Sequence, residues 1–250
     1  MSAAIIVSKS CLVTRGIVPD SHPTHQRDAE IRVQRTPQKV TAFVTRGVGE
    51  DAELLVFRHP HAGLRLPAGT VEVDESPPAA ALREVLEETA VTARDPALLA
   101  SERTELSRSG RALVAPASLR TGPAPDRAQL GASLRRELPC RLLTTVNGAA
   151  EVMVEESDLA TGQMLQRYTG WIDETTLATS IERRHFHLTT AQQTARRWRQ
   201  RAEGRFDFEC YWVRLSAEPG LAAPQQAWFE LCRPALRVST GKADVPGRDP

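Results

Sequence analysis

The stretch from Leu66 to Val91, LPAGTVEVDESPPAAALREVLEETAV, constrains this chain more than any other. Gly69 closes an apolar run, where backbone must approach something closely. Ser76 can cap a helix, and Pro77 follows at the first helical position, where its missing N–H costs nothing. The spacing from there predicts a helix with Ala79, Leu82, Val85, Leu86 and Thr89 on one face. Glu84, Glu87 and Glu88 fall on the opposite face, at i, i+3 and i+4. Such carboxylates repel one another by about 0.2–0.5 kcal/mol per exposed pair, and a divalent cation would reverse that sign. Hard oxygen ligands at short spacing suit magnesium or manganese. Arg83 stands beside Glu84 and can pair with Glu75 across the loop-to-helix turn. Three glutamates alone would read as a solvated face; the whole string carries the metal reading.

With its spacing kept, the string is Gly69, five residues, Glu75, seven residues, then Arg83-Glu84-Val85-Leu86-Glu87-Glu88-Thr89-Ala90-Val91. This resembles the signature box of the Nudix hydrolases, G-x5-E-x7-R-E-U-x-E-E-x-G-U, with U a bulky aliphatic residue. The one departure is Ala90 in place of glycine. The resemblance implies an α/β fold, a Nudix-type α/β/α sandwich with a mixed sheet. It implies metal-dependent hydrolysis of a nucleoside diphosphate linked to another moiety, with Mg2+ or Mn2+ as cofactor. Carried over residue by residue, the metal ligands are Glu84, Glu87 and Glu88, with the carbonyl of Ala68 as a further ligand. The catalytic group is Glu84 as general base, Arg83 to orient it, and Glu75 to hold Arg83. Some relatives use a base outside the box; Glu105, Glu182 and Glu209 are the weaker candidates here. If the helix ends on a left-handed Ala90, stability falls by about 1 kcal/mol relative to glycine, with no ligand lost.

The flanking chain follows the order of such a core. Lys39–Thr45 is a β-branched strand, residues 47–51 a turn, Glu53–Arg58 a strand, and Leu64–Leu66 a short strand entering the box. A strand resumes near Leu98–Leu106. Later come strands at Arg184–Leu188 and Phe206–Leu215, and a helix at Gln225–Leu236 that Pro234 could cut short. Thr190–Glu203 is expected as a helix rich in Arg196, Arg197, Arg199 and Arg201. Residues 111–180 are left over as an inserted small all-β subdomain. Asn147-Gly148 marks a hairpin within it. Leu119-Arg120-Thr121-Gly122-Pro123 and Thr169-Gly170-Trp171-Ile172-Asp173 resemble the ends of a bacterial Src-homology-three-like barrel, with Trp171 in its core. A long decorated hairpin growing from the main sheet is the alternative. The expected divisions are thus an extension at 1–36, core at 37–110, insertion at 111–180, core at 181–238 and a disordered tail at 239–250.

The formal net charge of +1 argues against a nucleic-acid partner held by bulk charge. No apolar run is long enough to span a bilayer, so no membrane partner is expected. The opening MSAAIIVSKSCLVTRG lacks the charged lead-in and apolar core of a signal peptide. Cys11, Cys140, Cys210 and Cys232 are scattered and read as reduced thiols of a cytoplasmic protein. The expected partner is a small nucleotide-type substrate, and a homodimer is compatible with the sequence. His59/His61 and His185/His187 can each share a face but read as structural, as do Phe186, Trp212 and Trp228. A rival function is a binding module that holds a nucleotide as sensor or scaffold without turning it over.

Overall fold

A computed structural model describes residues 36–157, 163–202, 204 and 206–241. The strands expected at Ala3–Val7 and Cys11–Val13, with Cys11 itself, and the tail beyond Gly241 lie outside the described residues. The first half of the chain supplies β1 (Gln38–Arg46), β2 (Glu53–His59), β3 (Gly63–Arg65), β4 (Ala68–Thr70), α1 (Pro77–Thr89) and β5 (Arg94–Glu105). Next come β6 (Gly110–Leu113), β7 (Ala117–Arg120), β8 (Gln129–Leu134), β9 (Pro139–Val146), β10 (Ala149–Ser157), β11 (Met164–Asp173) and β12 (Leu177–Ala178). The chain closes with β13 (Ser180–Thr189), β14 (Arg197–Ala202), β15 (Phe206–Arg214) and α2 (Gln225–Gly241).

Two sheets result, and the fold is mixed α/β. The first runs β14-β15-β2-β1-β13-β5, with β3 added to β2 and β4 to β1. It is a mixed sheet because β1 and β13 pair in parallel, Val40 opposite Arg184, while its other pairs are antiparallel. Both faces of β1 are covered, so it reads as a continuous buried run from Val40 to Thr45 rather than an alternation. Val40, Ala42 and Val44 face α1 together with Val85, Phe186, Leu188 and Trp212. Phe43 on the other face packs with Leu54, Val56, Phe229, Cys232 and Leu236, under α2.

The second sheet is antiparallel, in the order β12-β6-β9-β10-β11-β7-β8, and has its own core of Leu113, Leu119, Leu134, Val152, Val154 and Ile172. The hairpin at Asn147-Gly148 forms in it, both residues at positive φ (49° and 79°). Chain leaves and re-enters the first sheet at one place: Leu106 N donates to Thr179 O at 2.8 Å. Trp171 is only half-buried, and the neighbouring Ile172 takes the core position.

Two further expectations need correction. The described residues of the expected helix, 190–202, are not helical: 197–202 is an edge strand paired with β15. Its exposure alternates, with Arg197, Arg199 and Arg201 outward, a period of two that tertiary pairing selects over helical propensity. Arginines on an edge strand also discourage pairing with another chain. α2 continues past Pro234 to Gly241, through the residues expected to begin the tail. Pro234 sits where α2 turns outward, between buried Cys232 and Leu236.

Candidate functional site

The box helix begins and ends as its residues dictate. Ser76 Oγ accepts from Ala79 N at 3.4 Å, and Pro77 opens the helix. At the other end Ala90 is left-handed, φ 58° and ψ 19°, and its N–H closes on Leu86 O at 2.9 Å. Two distant side chains satisfy the last carbonyls: Trp198 Nε1 donates to Thr89 O at 2.8 Å and Gln192 Nε2 to Ala90 O at 3.3 Å.

The inward face differs from the one that periodicity predicted. Ala80, Ala81, Glu84, Val85, Glu88 and Thr89 are buried, whereas Leu86 is 52% exposed. The predicted stripe is thus rotated so that two of the three glutamates point inward. Apolar periodicity could not show this, because what faces them is not apolar side chain but the backbone of β4. Val40 pairs with Gly69 and Thr41 with Ala68, which lays β4 along the helix. A Cβ on Gly69 would lie 2.0 Å from Glu84 Oε1, so only glycine admits that carboxylate. Glu88 Oε2 accepts from Ala68 N at 3.0 Å. Buried carboxylates need such partners to remain charged. Glu87 lies at the rim, its side chain half exposed.

Arg83 ties the site together. Its Nε and Nη2 donate to the two oxygens of Glu75 at 2.8 and 2.9 Å, a two-pronged pair. Nη2 also donates to Thr70 O at 2.8 Å, and Nη1 reaches Glu84 Oε1 at 2.9 Å and Glu87 Oε2 at 3.3 Å. Glu75 in turn accepts from Glu72 N at 3.0 Å. The Glu75 hydrogen bonds hold the Arg83 guanidinium above its ordinary range.

The donor set fits a hard divalent cation. It offers carboxylate oxygens from one helix beside a strand whose glycine leaves room for backbone approach. Among the described residues no three acidic, imidazole or thiol side chains already converge as a cation cage; Arg83 Nη1 lies between Glu84 and Glu87 instead. The candidate bases outside the box engage arginines: Glu105 with Arg103 at 2.7 Å, Glu182 with Arg103 at 3.7 Å, and Glu209 with Arg197 at 3.1 Å. Glu209 alternates with Cys210, whose Sγ faces Glu88 O, so Glu209 points to the other face of the sheet.

The histidine pairs have structural partners. His185 Nε2 meets Glu102 at 2.8 Å and His187 Nε2 meets Thr45 Oγ1 at 2.7 Å. His59 Nδ1 accepts from the N–H groups of His61 and Ala62, both at 3.1 Å. Phe186 and Trp212 are core, and half-buried Trp228 lies under the Arg183 guanidinium at 4.0 Å. Cys140, Cys210 and Cys232 are free and buried; burial pushes the first up to about 11 and the other two to about 12. Thr70, at an unfixed position within the box, and Arg136 and Glu137, which contact it and its neighbour Val71, carried no sequence signal that would single them out.

A mixed sheet between two helices, with a glycine strand feeding an acidic helix, defines the class of site. Residues 35–117 match the family model described as NUDIX domain. The match supports the likeness of this part of the chain to the Nudix superfamily that the box carries. No curated protein matches the chain. Among the described residues no helix is long and apolar enough to cross a membrane.

Proposed function

We propose that this protein is a cytoplasmic, magnesium- or manganese-dependent pyrophosphohydrolase acting on a nucleoside diphosphate linked to another moiety. The observation that carries the reading is the placement of Glu84, 1% exposed, against Gly69 and within 2.9 Å of Arg83 Nη1. Glu84, Glu87, Glu88 and the carbonyl of Ala68 would hold the cation. When bound, that cation supplies charge compensation to the phosphate oxygens, the main demand of this reaction.

The chain's own residues do the rest. Glu84 takes a proton from water as its oxygen bonds to one phosphorus, and the bridging P–O bond breaks to release the other phosphate. Arg83 holds Glu84 in place, and Glu75 fixes Arg83 through two hydrogen bonds. Glu88 is aimed by the Ala68 N–H. Residues 111–180 are read as a small inserted β subdomain between two parts of the Nudix core, at 37–110 and 181–238. The substrate partner is a small molecule.

The test is release of phosphate-containing products from nucleoside triphosphates, nucleoside diphosphate sugars and dinucleoside polyphosphates, with and without Mg2+. Turnover that depends on the cation supports the hydrolase. Nucleotide binding with no cation-dependent turnover selects the sensor or scaffold module instead.

A further inference from the structure

The turn between β8 and β9 carries three consecutive charges, Arg135, Arg136 and Glu137. Glu137 is 3% exposed and left-handed, φ 66°. A non-glycine residue there and a buried carboxylate both cost stability, and such costs gather where geometry matters. The Glu137 carboxylate accepts a hydrogen bond from Thr70 Oγ1 and lies 3.6 Å from Lys39 Nζ. Arg136 Nη1 donates to Val71 O at 2.9 Å. Thr70 and Val71 directly follow Gly69. Thr70 is held from two sides: its hydroxyl by Glu137, its carbonyl by Arg83 Nη2 at 2.8 Å. The second sheet therefore grips the residues on which Arg83 aligns itself with Glu75 and Glu84.

We propose that Arg136 and Glu137 are positioning residues for the box. They fix Thr70 and Val71 so that Arg83 can span Thr70 O, Glu75 and Glu84, and the second sheet thereby helps to set the geometry of Glu84. The kinetic consequence rests on the hydrolase reading above; the contact itself does not. A simple packing role for the turn makes a different prediction, a loss of stability spread over both sheets.

The experiment compares Glu137→Ala, Glu137→Gln, Thr70→Val and the double variant Thr70→Val/Glu137→Ala in the full chain. Amide hydrogen exchange is read across both sheets, and steady-state kinetics on whichever panel nucleotide the parent hydrolyses fastest with Mg2+. Glu137→Ala should speed exchange of residues 69–75 by about tenfold and leave the β10–β11 hairpin unchanged. Its kcat should fall about tenfold while KM stays within about twofold, the pattern of a misplaced catalytic group. Glu137→Gln keeps an acceptor for Thr70 Oγ1 and should recover most of both. The double variant should be no worse than the poorer single one, because both remove one interaction. Unchanged exchange at 69–75, a rise spread evenly over both sheets, or additive effects in the double variant overturns the proposal. If the parent hydrolyses no panel nucleotide, the hydrolase reading fails, and the exchange pattern alone decides the positioning role.

Discussion

Gly69 and Glu84 are fitted to each other: the carboxylate fills the space that a Cβ at position 69 would need, with Cδ only 2.1 Å from that point. Their separation in sequence is bridged by the Arg83–Glu75 pair, which folds the acidic loop back onto the helix. Gly69→Ala must therefore displace Glu84 or β4. We expect destabilisation of about 1–3 kcal/mol from overpacking and a loss of turnover of about a hundredfold. Thermal melts and kinetics of the folded variant check both; an unchanged rate would show that the placement of Glu84 does not matter.

Glu88→Gln should nearly abolish turnover and keep the fold. The amide oxygen can still accept from Ala68 N, so the 3.0 Å contact survives, but the cation loses an anionic ligand. A rate loss of about a hundredfold or more, about 3 kcal/mol at the barrier, is expected. In metal-free buffer stability should rise by a few tenths of a kcal/mol as like charges are relieved. Mg2+ should raise the parent's melting temperature much more than the variant's. Equal shifts and equal rates would leave the glutamates as ordinary helix residues.

Ala90→Gly should stabilise the protein. Ala90 is left-handed at φ 58°, where a Cβ costs about 1 kcal/mol and glycine does not. The carbonyls held by Trp198 and Gln192 are untouched, so activity should not change. The check is the denaturation midpoint at constant m-value; a less stable variant would mean that the Ala90 methyl group packs favourably.

Stability should rise with pH through the range just below neutrality. Burial holds His185 and His187 below their ordinary value of 6.5; at His185 Glu102 opposes this by favouring the charged form, while Arg183 adds to it. Below 6.5 the unfolded chain therefore binds more protons than the folded one. The contribution is complete above the unfolded value and declines as pH falls below it. His187→Gln, which can keep a hydrogen bond to Thr45 Oγ1, should flatten the dependence. Melting temperatures of both proteins between about pH 5 and about pH 8 measure it; parallel curves would remove His187 from the account.

The box was legible because its determinants are close in sequence. Ser76, Pro77 and the Arg83–Glu75 pair all act within eight residues of chain, and each stands where the spacing put it. Asn147-Gly148 was legible for the same reason, since a two-residue turn carries its own backbone requirement. The orientation of α1 was not. A count of apolar residues placed Leu86 inward and Glu84 outward, and the reverse occurs because β4 presents backbone, not side chains, to the helix.

By itself the sequence determined much of the local geometry of residues 69–90: where the helix starts, and that Arg83 can meet Glu75 and Glu84. Tertiary structure decided what that geometry faces. It turned Glu84 onto Gly69, made residues 197–202 an edge strand paired with β15, and brought Glu137 to Thr70 across 67 positions of chain. Capping, turn and neighbouring-charge interactions have energies that depend on residues a turn apart, so they can be read along the chain. Strand pairing and buried charge depend on which distant backbone arrives opposite, and that is set only when the two sheets and two helices close on one another.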